Sequence, residues 1–447
     1  MRDRWLWWGC VAYAALFTWL GAIKYAAHRN LVDFGIFQQT VASAFGCFCN
    51  PLEGSHWAFH FSPLLYALGA AVAVVPSPLT LVALQACAGA LCAPPIYAIV
   101  RARSDVTTAR LCALVVFLYP PLAGLVFGDV HENGFAPAAV AWTLYAFDAG
   151  RLGWSAVFAA LALSVKEDQA LFLAFSGACG AFAYRTDRRR ALFAAGVAVA
   201  AIAVAVAFFA LIQPNAEANP YWQPSRFYAW TAMDVRTLVS HGLVARIGFL
   251  LLILAPLAFV PLRTRVAVLA VPPLLEVLAS RMDTTFTLGT HYAGAWAGYL
   301  LVAYAAGICA LAARARARTA LYWSLALCVL ELAVANPLHP GTNLRAVQPR
   351  DLELDAALHD LPRDASVATQ EEAYTHLGLT NPFARLLPED PSVETHACLV
   401  LVDGAYPNSP RLQEYGNALA ALVASRKYVA VMRLGNIAVF RRVTPCR

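Results

Sequence analysis

Charge is scarce in this chain. Asp, Glu, Lys and Arg make up 13% of its 447 residues and 60% are hydrophobic, where an ordinary soluble domain carries about 25% charged residues. That shortage excludes a soluble globular enzyme. Internal repeats are absent, which weighs against transporter folds built from inverted repeats. Metal motifs at standard spacing are also missing. The tightest cysteine pair, "CFC" at 47–49, is a poor zinc motif. No sugar-binding motif stands out after residue 340. The net charge of +6 is not a nucleic-acid footprint, because the basic residues come in short clusters between apolar runs.

What is present is a polytopic membrane pattern. About 17–25 apolar residues span a hydrocarbon core of about 30 Å. Apolar segments fall near 5–25, 79–100, 111–127, 135–149, 154–165, 169–184, 191–213, 243–261, 266–280, 296–313 and 319–336. The spacing predicts a mainly α fold, a bundle of about eleven transmembrane helices. The first segment is long enough to span and reads as an uncleaved helix. Basic clusters follow at Arg101–Arg110, Arg151, 185–190, 262–265 and 314–318, all on the side of Arg2 and Arg4. The positive-inside rule makes that side cytoplasmic. The opposite ends, 26–78, 128–134, 166–168, 214–242, 281–295 and everything after 336, then face outward. The short, Pro-flanked stretch 62–78 would reverse every later cluster if it crossed, so it reads as a re-entrant or interfacial helix.

From about 341 to 447 the composition changes. "ASVATQ" and "CLVLVDG" read as buried strands, 409–426 as an amphipathic helix capped by Ser409, and 428–442 as a hairpin turning at 434–436. These predict a small extracytoplasmic α/β domain following a transmembrane domain over 1–340. Cys47, Cys49, Cys398 and Cys446 lie in polar regions where disulfides can form if the compartment is oxidising.

The rare charges gather at the outer ends: Asp33, His56 and His60, then Asp129, His131 and Glu132, then Lys166, Glu167 and Asp168, then Arg281, Asp283, His291 and Tyr292. Each alone has a plain reading. Asp33 can cap a helix, Lys166 and Glu167 can form an interfacial ion pair, and short wet loops are polar anyway. Together, carboxylates, imidazoles and an ammonium on one face suit an anionic ligand and acid–base chemistry.

"DFGIFQQ", "FHFSPLLYALG", "FGDVHENGFAP", "KEDQALFLAF" and "HYAG", in that order, resemble the bacterial membrane protein family known as domain of unknown function 2079. The pattern also looks like a branch of the GT-C superfamily, integral membrane glycosyltransferases that use polyprenyl-phosphate-linked sugars. The resemblance implies a bacterial-type plasma-membrane enzyme, a polyprenyl-phosphate sugar donor and an acceptor that is a glycan, lipid or protein. It implies a catalytic acid at Asp33 and a phosphate-neutralising Lys166, with Arg281 and His291 as further anion partners. Glu167, Asp168, His131 and Tyr292 complete the substrate site. Asp129, Glu132 and His60 either hold a divalent metal ion or order the site. Many relatives carry an aromatic-His-Pro turn where this chain has Val130-His131-Glu132. A transporter or flippase of a lipid-linked or small anionic substrate, and a membrane-anchored binding or assembly protein, are the competing readings.

Overall fold

The structure is a computed structural model, described over residues 3–217, 227–228, 232–237, 242–311, 313–387, 396–404, 417 and 420–445. Helix α1 (Arg4–Ala26) begins where the Asp3 carboxylate accepts the Trp5 N–H at 3.1 Å. Its 23 residues rise about 35 Å, enough to cross a bilayer. It ends in a Schellman turn, with Arg29 N–H donating to Lys24 O at 3.0 Å and His28 N–H donating to Tyr25 O at 2.9 Å. The left-handed position of that turn, where glycine is usual, is held by His28 at φ 51.

The chain then forms α2 (Val32–Ala42), a small hairpin of β1 (Cys49–Asn50) and β2 (Gly54–Ser55), and α3 (Leu64–Val74). Cys47 and Cys49 are joined by a disulfide and Cys398 is disulfide-bonded as well, while Cys446 lies outside the described residues. Helix α3 has 11 residues, about 16 Å, too short to span.

The bundle continues as α4 (Pro78–Ala90), α5 (Ala93–Arg101), α6 (Val106–Leu118), α7 (Pro120–Phe127), α8 (Ala136–Asp148), α9 (Leu152–Leu163), α10 (Asp168–Ala183) and α11 (Arg188–Ala207). After α12 (Ala232–Thr237) come α13 (Leu243–Leu254), α14 (Val271–Ala279), α15 (Ala293–Ala310) and α16 (Arg314–Val334). Among the described residues, five helices are long and apolar enough to cross a membrane, or six when the pair α6–α7, bent by 47° at Pro120, counts as one. The other apolar segments are shorter. Pro256, Pro261 and the pair Pro272-Pro273 divide the 243–280 stretch into α13, short 3-10 turns and α14. Helix α15 runs through the centre of the bundle, burying Trp296, Tyr299 and Tyr304. Trp8, Trp19, Val199, Ile202, Trp323 and Val334 on α1, α11 and α16 are exposed on the outside.

The two ends of the bundle differ in chemistry. At one end Asp3 pairs with Arg110 at 2.9 Å, Arg103 with Asp148 at 2.6 Å and Arg318 with Asp105 at 3.3 Å. Arg110 of α6 thus meets the start of α1, while Arg103 after α5 meets the end of α8 and Arg318 of α16 meets the start of α6. At the other end lie Lys24, Asp33, Asp129 and Lys166.

Beyond α16 come α17 (Pro340–Asn343), α18 (Pro349–His359), β3 (Val367–Thr369), α19 (Glu371–Leu377), β4 (Arg385–Leu386), β5 (Leu399–Asp403), β6 (Tyr428–Leu434) and β7 (Ile437–Arg442). The strands make one sheet in the order β4-β3-β5-β7-β6. Strand β3 runs parallel to β4 and β5, with Ala368 opposite Val400; β7 runs antiparallel to β5 and β6, with Leu401 opposite Val439. Gly435, at φ +57, makes the β6–β7 turn. The stretch 409–426, expected as a helix, lies largely outside the described residues. Helix α2 packs against α19. Gln39 Nε2 donates to Ala384 O at 2.8 Å and to Asn381 O at 3.2 Å, and Gly35 lies against the Tyr374 ring, where a β-carbon would collide.

Candidate active site

The carboxyl ends of α1 and α7 and the amino ends of α2, α10 and α15, with α19, enclose a cleft of about 1220 Å³. Asp33, His60, Asp129, His131, Lys166, Glu167, Asp168, His291 and Tyr292 line it. Glu132 and Arg281 do not. Glu132 is fully buried behind His131, and Arg281 pairs with Asp234 at 3.1 Å while its N–H donates to Phe227 O at 2.8 Å.

Asp33 sits in the first turn of α2 but is not its cap, since Leu31 holds that position. Its Oδ2 lies 3.5 Å from His291 Nδ1. The His291 ring lies flat on His131, with centroids 3.7 Å apart and planes 10° apart, and His131 Nδ1 is 3.0 Å from Glu132 Oε2. Burial alone would raise the Asp33 pKa, but the His291 contact, then the fields of His291 and His131, outweigh it and hold the carboxyl below its usual range. Burial pushes His131 down to about 4 against the pull of Glu132, so its ring is neutral near pH 7.

The turn between α9 and α10 carries Lys166, Glu167 and Asp168. Glu167 accepts from His60 Nδ1 and from the Phe61 N–H, each at 2.9 Å, which ties the loop before α3 to this turn. Lys166 Nζ is 3.8 Å from Asp168 Oδ2. Burial disfavours the ammonium, but Asp168, Glu167 and Glu132 outweigh that and raise its pKa, so Lys166 stays charged. Asp168 is pushed up to about 6 by burial, with Lys166 opposing and Glu167 and Glu132 adding to the rise.

Asp129 is fully engaged. It accepts from Lys24 Nζ at 2.8 Å, Asn30 Nδ2 at 2.9 Å and the Leu31 N–H at 2.7 Å. The ionisable cleft residues that escaped the sequence reading include Lys24, Glu53 and Glu276, along with His28, Arg29, His339, Glu371 and Glu372. Lys24 and Glu276 each stand as a lone charge in an apolar helix, which was the signal available. Glu53 is buried between His56 at 3.3 Å and Asn50 Nδ2 at 2.9 Å. Among the described residues, one set of three His, Cys, Asp or Glu side chains brings ligand atoms within 4.8 Å of one another, and it is His28, Asp355 and His376. Asp129, Glu132 and His60 do not form such a set. Chemically, the cleft offers an ionised carboxylate, a buried ammonium and neutral imidazole on one wall system, an arrangement able to take a proton and hold an anion.

Comparison with known proteins agrees with this architecture. The fold is similar to that of ArnT from Cupriavidus metallidurans bound to undecaprenyl phosphate, with a TM-score of 0.54 at 13% identity over 96% of this chain and 98% of that one. The apo state of ArnT gives 0.51 at 12% identity with the same coverage. The Archaeoglobus fulgidus oligosaccharyltransferase in complex with Zn and sulfate gives 0.42 at 13% identity, over 91% of this chain and 67% of that one. At such identities the likeness is one of fold. No curated protein matches the chain. A family model described as a predicted membrane protein matches residues 28–400, most of the chain, so the protein belongs to the membrane protein family DUF2079.

Proposed function

We propose that the chain is a membrane glycosyltransferase that moves a sugar from a polyprenyl-phosphate donor to an extracytoplasmic acceptor hydroxyl. One observation carries this reading. Asp33 and Lys166, contributed by different parts of the chain, line a single cleft, in a fold like that of ArnT bound to undecaprenyl phosphate. The donor phosphate lies against the Lys166 ammonium. Asp33 takes the proton of the acceptor hydroxyl. The acceptor oxygen bonds to the anomeric carbon, the bond from that carbon to the phosphate oxygen breaks, and the phosphate leaves with the electron pair, neutralised by Lys166. A single direct displacement inverts the anomeric centre. Asp129 orders the approach to α2 through Leu31, and Glu167 holds the loop before α3 through His60 and Phe61. Tied up in these bonds, Asp129 and His60 order the site in this reading.

The same reading places about eleven crossings in residues 1–340, the N-terminus in the cytoplasm and an α/β domain over 341–447 outside. The pairing of Arg110 with Asp3 at the start of α1, and of Arg318 with Asp105 at the start of the same α6, supports that orientation. The test is turnover of a polyprenyl-phosphate sugar by purified protein. Asp33→Asn lowers the rate by about 10²–10⁴ with unchanged expression and elution, and Lys166→Ala weakens donor binding. An Asp33→Asn variant within ten-fold of wild type removes Asp33 as the base and the reading with it.

A further inference from the structure

A site that the cleft chemistry does not use lies where α2 gives way to the β1–β2 hairpin. Cys47 and Cys49, with one residue between them, are disulfide-bonded across a Cα separation of 5.2 Å. Cys47 is exposed and Cys49 half-buried. Between them Phe48 has φ 48, in the left-handed region that a bulky aromatic rarely adopts. Its ring is buried, stacked on Tyr66 with centroids 4.7 Å apart, with Trp57 at 5.0 Å and His56 at 5.1 Å. Packing fixes the ring of Phe48 and the covalent link fixes its backbone, so the conformation is held from both sides.

Stability does not account for this bridge. A cross-link stabilises a fold by removing loop-closure entropy from the unfolded chain, and the gain grows with loop length. A loop closed across a single intervening residue gains little, and holding Phe48 left-handed works against it. What the bridge does hold is the wiring behind the cleft. Ser43, which ends α2, accepts the Cys49 N–H on Oγ at 2.9 Å and donates from Oγ to Cys49 O at 2.7 Å. Phe48 O accepts the His56 N–H at 2.9 Å. His56 Nδ1 stands 3.3 Å from Glu53, which lines the cleft. In thiol exchange, strained or exposed bridges are the labile ones, whereas buried structural bridges resist reduction.

We propose that Cys47–Cys49 is a thiol–disulfide exchange site, opened by an external dithiol, that sets how firmly the Glu53 hairpin is held against the cleft. A thiolate of the dithiol bonds to Cys47 Sγ, on the exposed side. The Cys47–Cys49 bond breaks, and Cys49 leaves with the electron pair and takes up a proton. The second thiol of the reagent loses its proton and displaces Cys47 from the mixed disulfide. The dithiol ends oxidised to its disulfide, and Cys47 and Cys49 end as thiols. A disulfide-bearing oxidant reverses both steps. Freed of the bridge, Phe48 returns to negative φ, its carbonyl turns off the His56 N–H, and the hairpin loosens. The site stands whatever reaction the cleft performs.

The test uses full-length protein purified in detergent without reductant. It is equilibrated in mixtures of reduced and oxidised dithiothreitol, quenched with acid, alkylated and read by peptide mass spectrometry. The disulfide of Cys398, beside the buried strand β5, is the reference within the same chain. Cys47–Cys49 is expected to be half-open at a ratio of reduced to oxidised reagent at least about ten-fold lower than the Cys398 bridge requires. Hydrogen exchange of the wild-type chain, at a ratio that opens Cys47–Cys49 alone, needs no variant. Amides over 48–56 exchange at least about ten-fold faster than in the oxidised chain, while α15 is unchanged. In the Cys49→Ala chain, Cys47 reacts with glutathione disulfide at least about ten-fold faster than Cys49 does in the Cys47→Ala chain. A bridge that opens only together with that of Cys398, an opening that leaves exchange over 48–56 unchanged, or a Cys49 as reactive as Cys47 overturns the proposal.

Discussion

Replacing Asp129 with alanine removes the carboxylate that pairs with a buried lysine. Lys24 is 7% and Asp129 12% exposed, and their 2.8 Å contact is joined by donors from Asn30 and Leu31. Without the carboxylate, Lys24 keeps a 3.5 Å contact to Phe127 O and the face of the Phe127 ring at 5.4 Å. Neither neutralises it. Breaking a buried pair from one side costs about 3–5 kcal/mol, because a charge is left uncompensated. The Leu31 amide and Asn30 lose their acceptor too, at roughly 1 kcal/mol each. The damage concentrates at the start of α2, so Asp33 moves and turnover falls with stability. Lys24→Met in the Asp129→Ala background removes the stranded charge and recovers at least about 2 kcal/mol, the signature of coupling in a double-mutant cycle. Unfolding titrations of the purified variants in detergent measure all four corners. If the double variant is no more stable than Asp129→Ala, the two groups are not coupled and the account of this corner is wrong.

Asp168 gives a pH test. Its folded pKa, pushed to about 6 by burial and then by Glu167 and Glu132 against Lys166, lies above an unfolded value of about 3.9. The folded state therefore binds more protons between those values, and stability falls as pH rises through about 4 to 6. Asp168→Asn is expected to stabilise the chain at pH 8 and to lose that advantage near pH 4, read from unfolding midpoints at both. Gly294→Ala drives a methyl into the Asn133 carbonyl and shifts the turn that carries His131; a loss of about 1–3 kcal/mol with reduced turnover is expected, measured by thermal unfolding and rate. Cys47 and Cys49, being disulfide-bonded, should resist maleimide labelling in protein purified without reductant and label after reduction, as peptide mass spectrometry would show.

The membrane character was legible because charge is so rare that each ionisable residue stood out against alanine, leucine and valine. Asp33, His131, Lys166 and His291 could be singled out on that ground, and all line the cleft. Other features left no trace in a linear pattern. Helix α2 buries every residue from Phe34 to Val41, so it has no polar face and no 3.6-residue period to read. Lys24 falls within the first apolar run, and its partner Asp129 is more than a hundred positions away. The His28–His376 stack joins residues that only tertiary packing brings together. Apolar stretches such as 243–280 looked like full spans because composition does not reveal how far paired prolines shorten a helix. Arg281, noted as an anion partner, is committed to Asp234 and stands outside the cleft lining, which composition and order along the chain give no means to foresee.

The seating of α2 on α19 has a consequence for how such a protein can be altered or inherited. Gly35 and Gln39 are shaped to Tyr374, Asn381 and Ala384, so the helix bearing Asp33 takes its position from residues more than three hundred places downstream. The distal lobe is therefore no interchangeable cassette. A graft from a cousin would need to bring the matching surface of α2 with it, and the two segments should drift in step over evolutionary time.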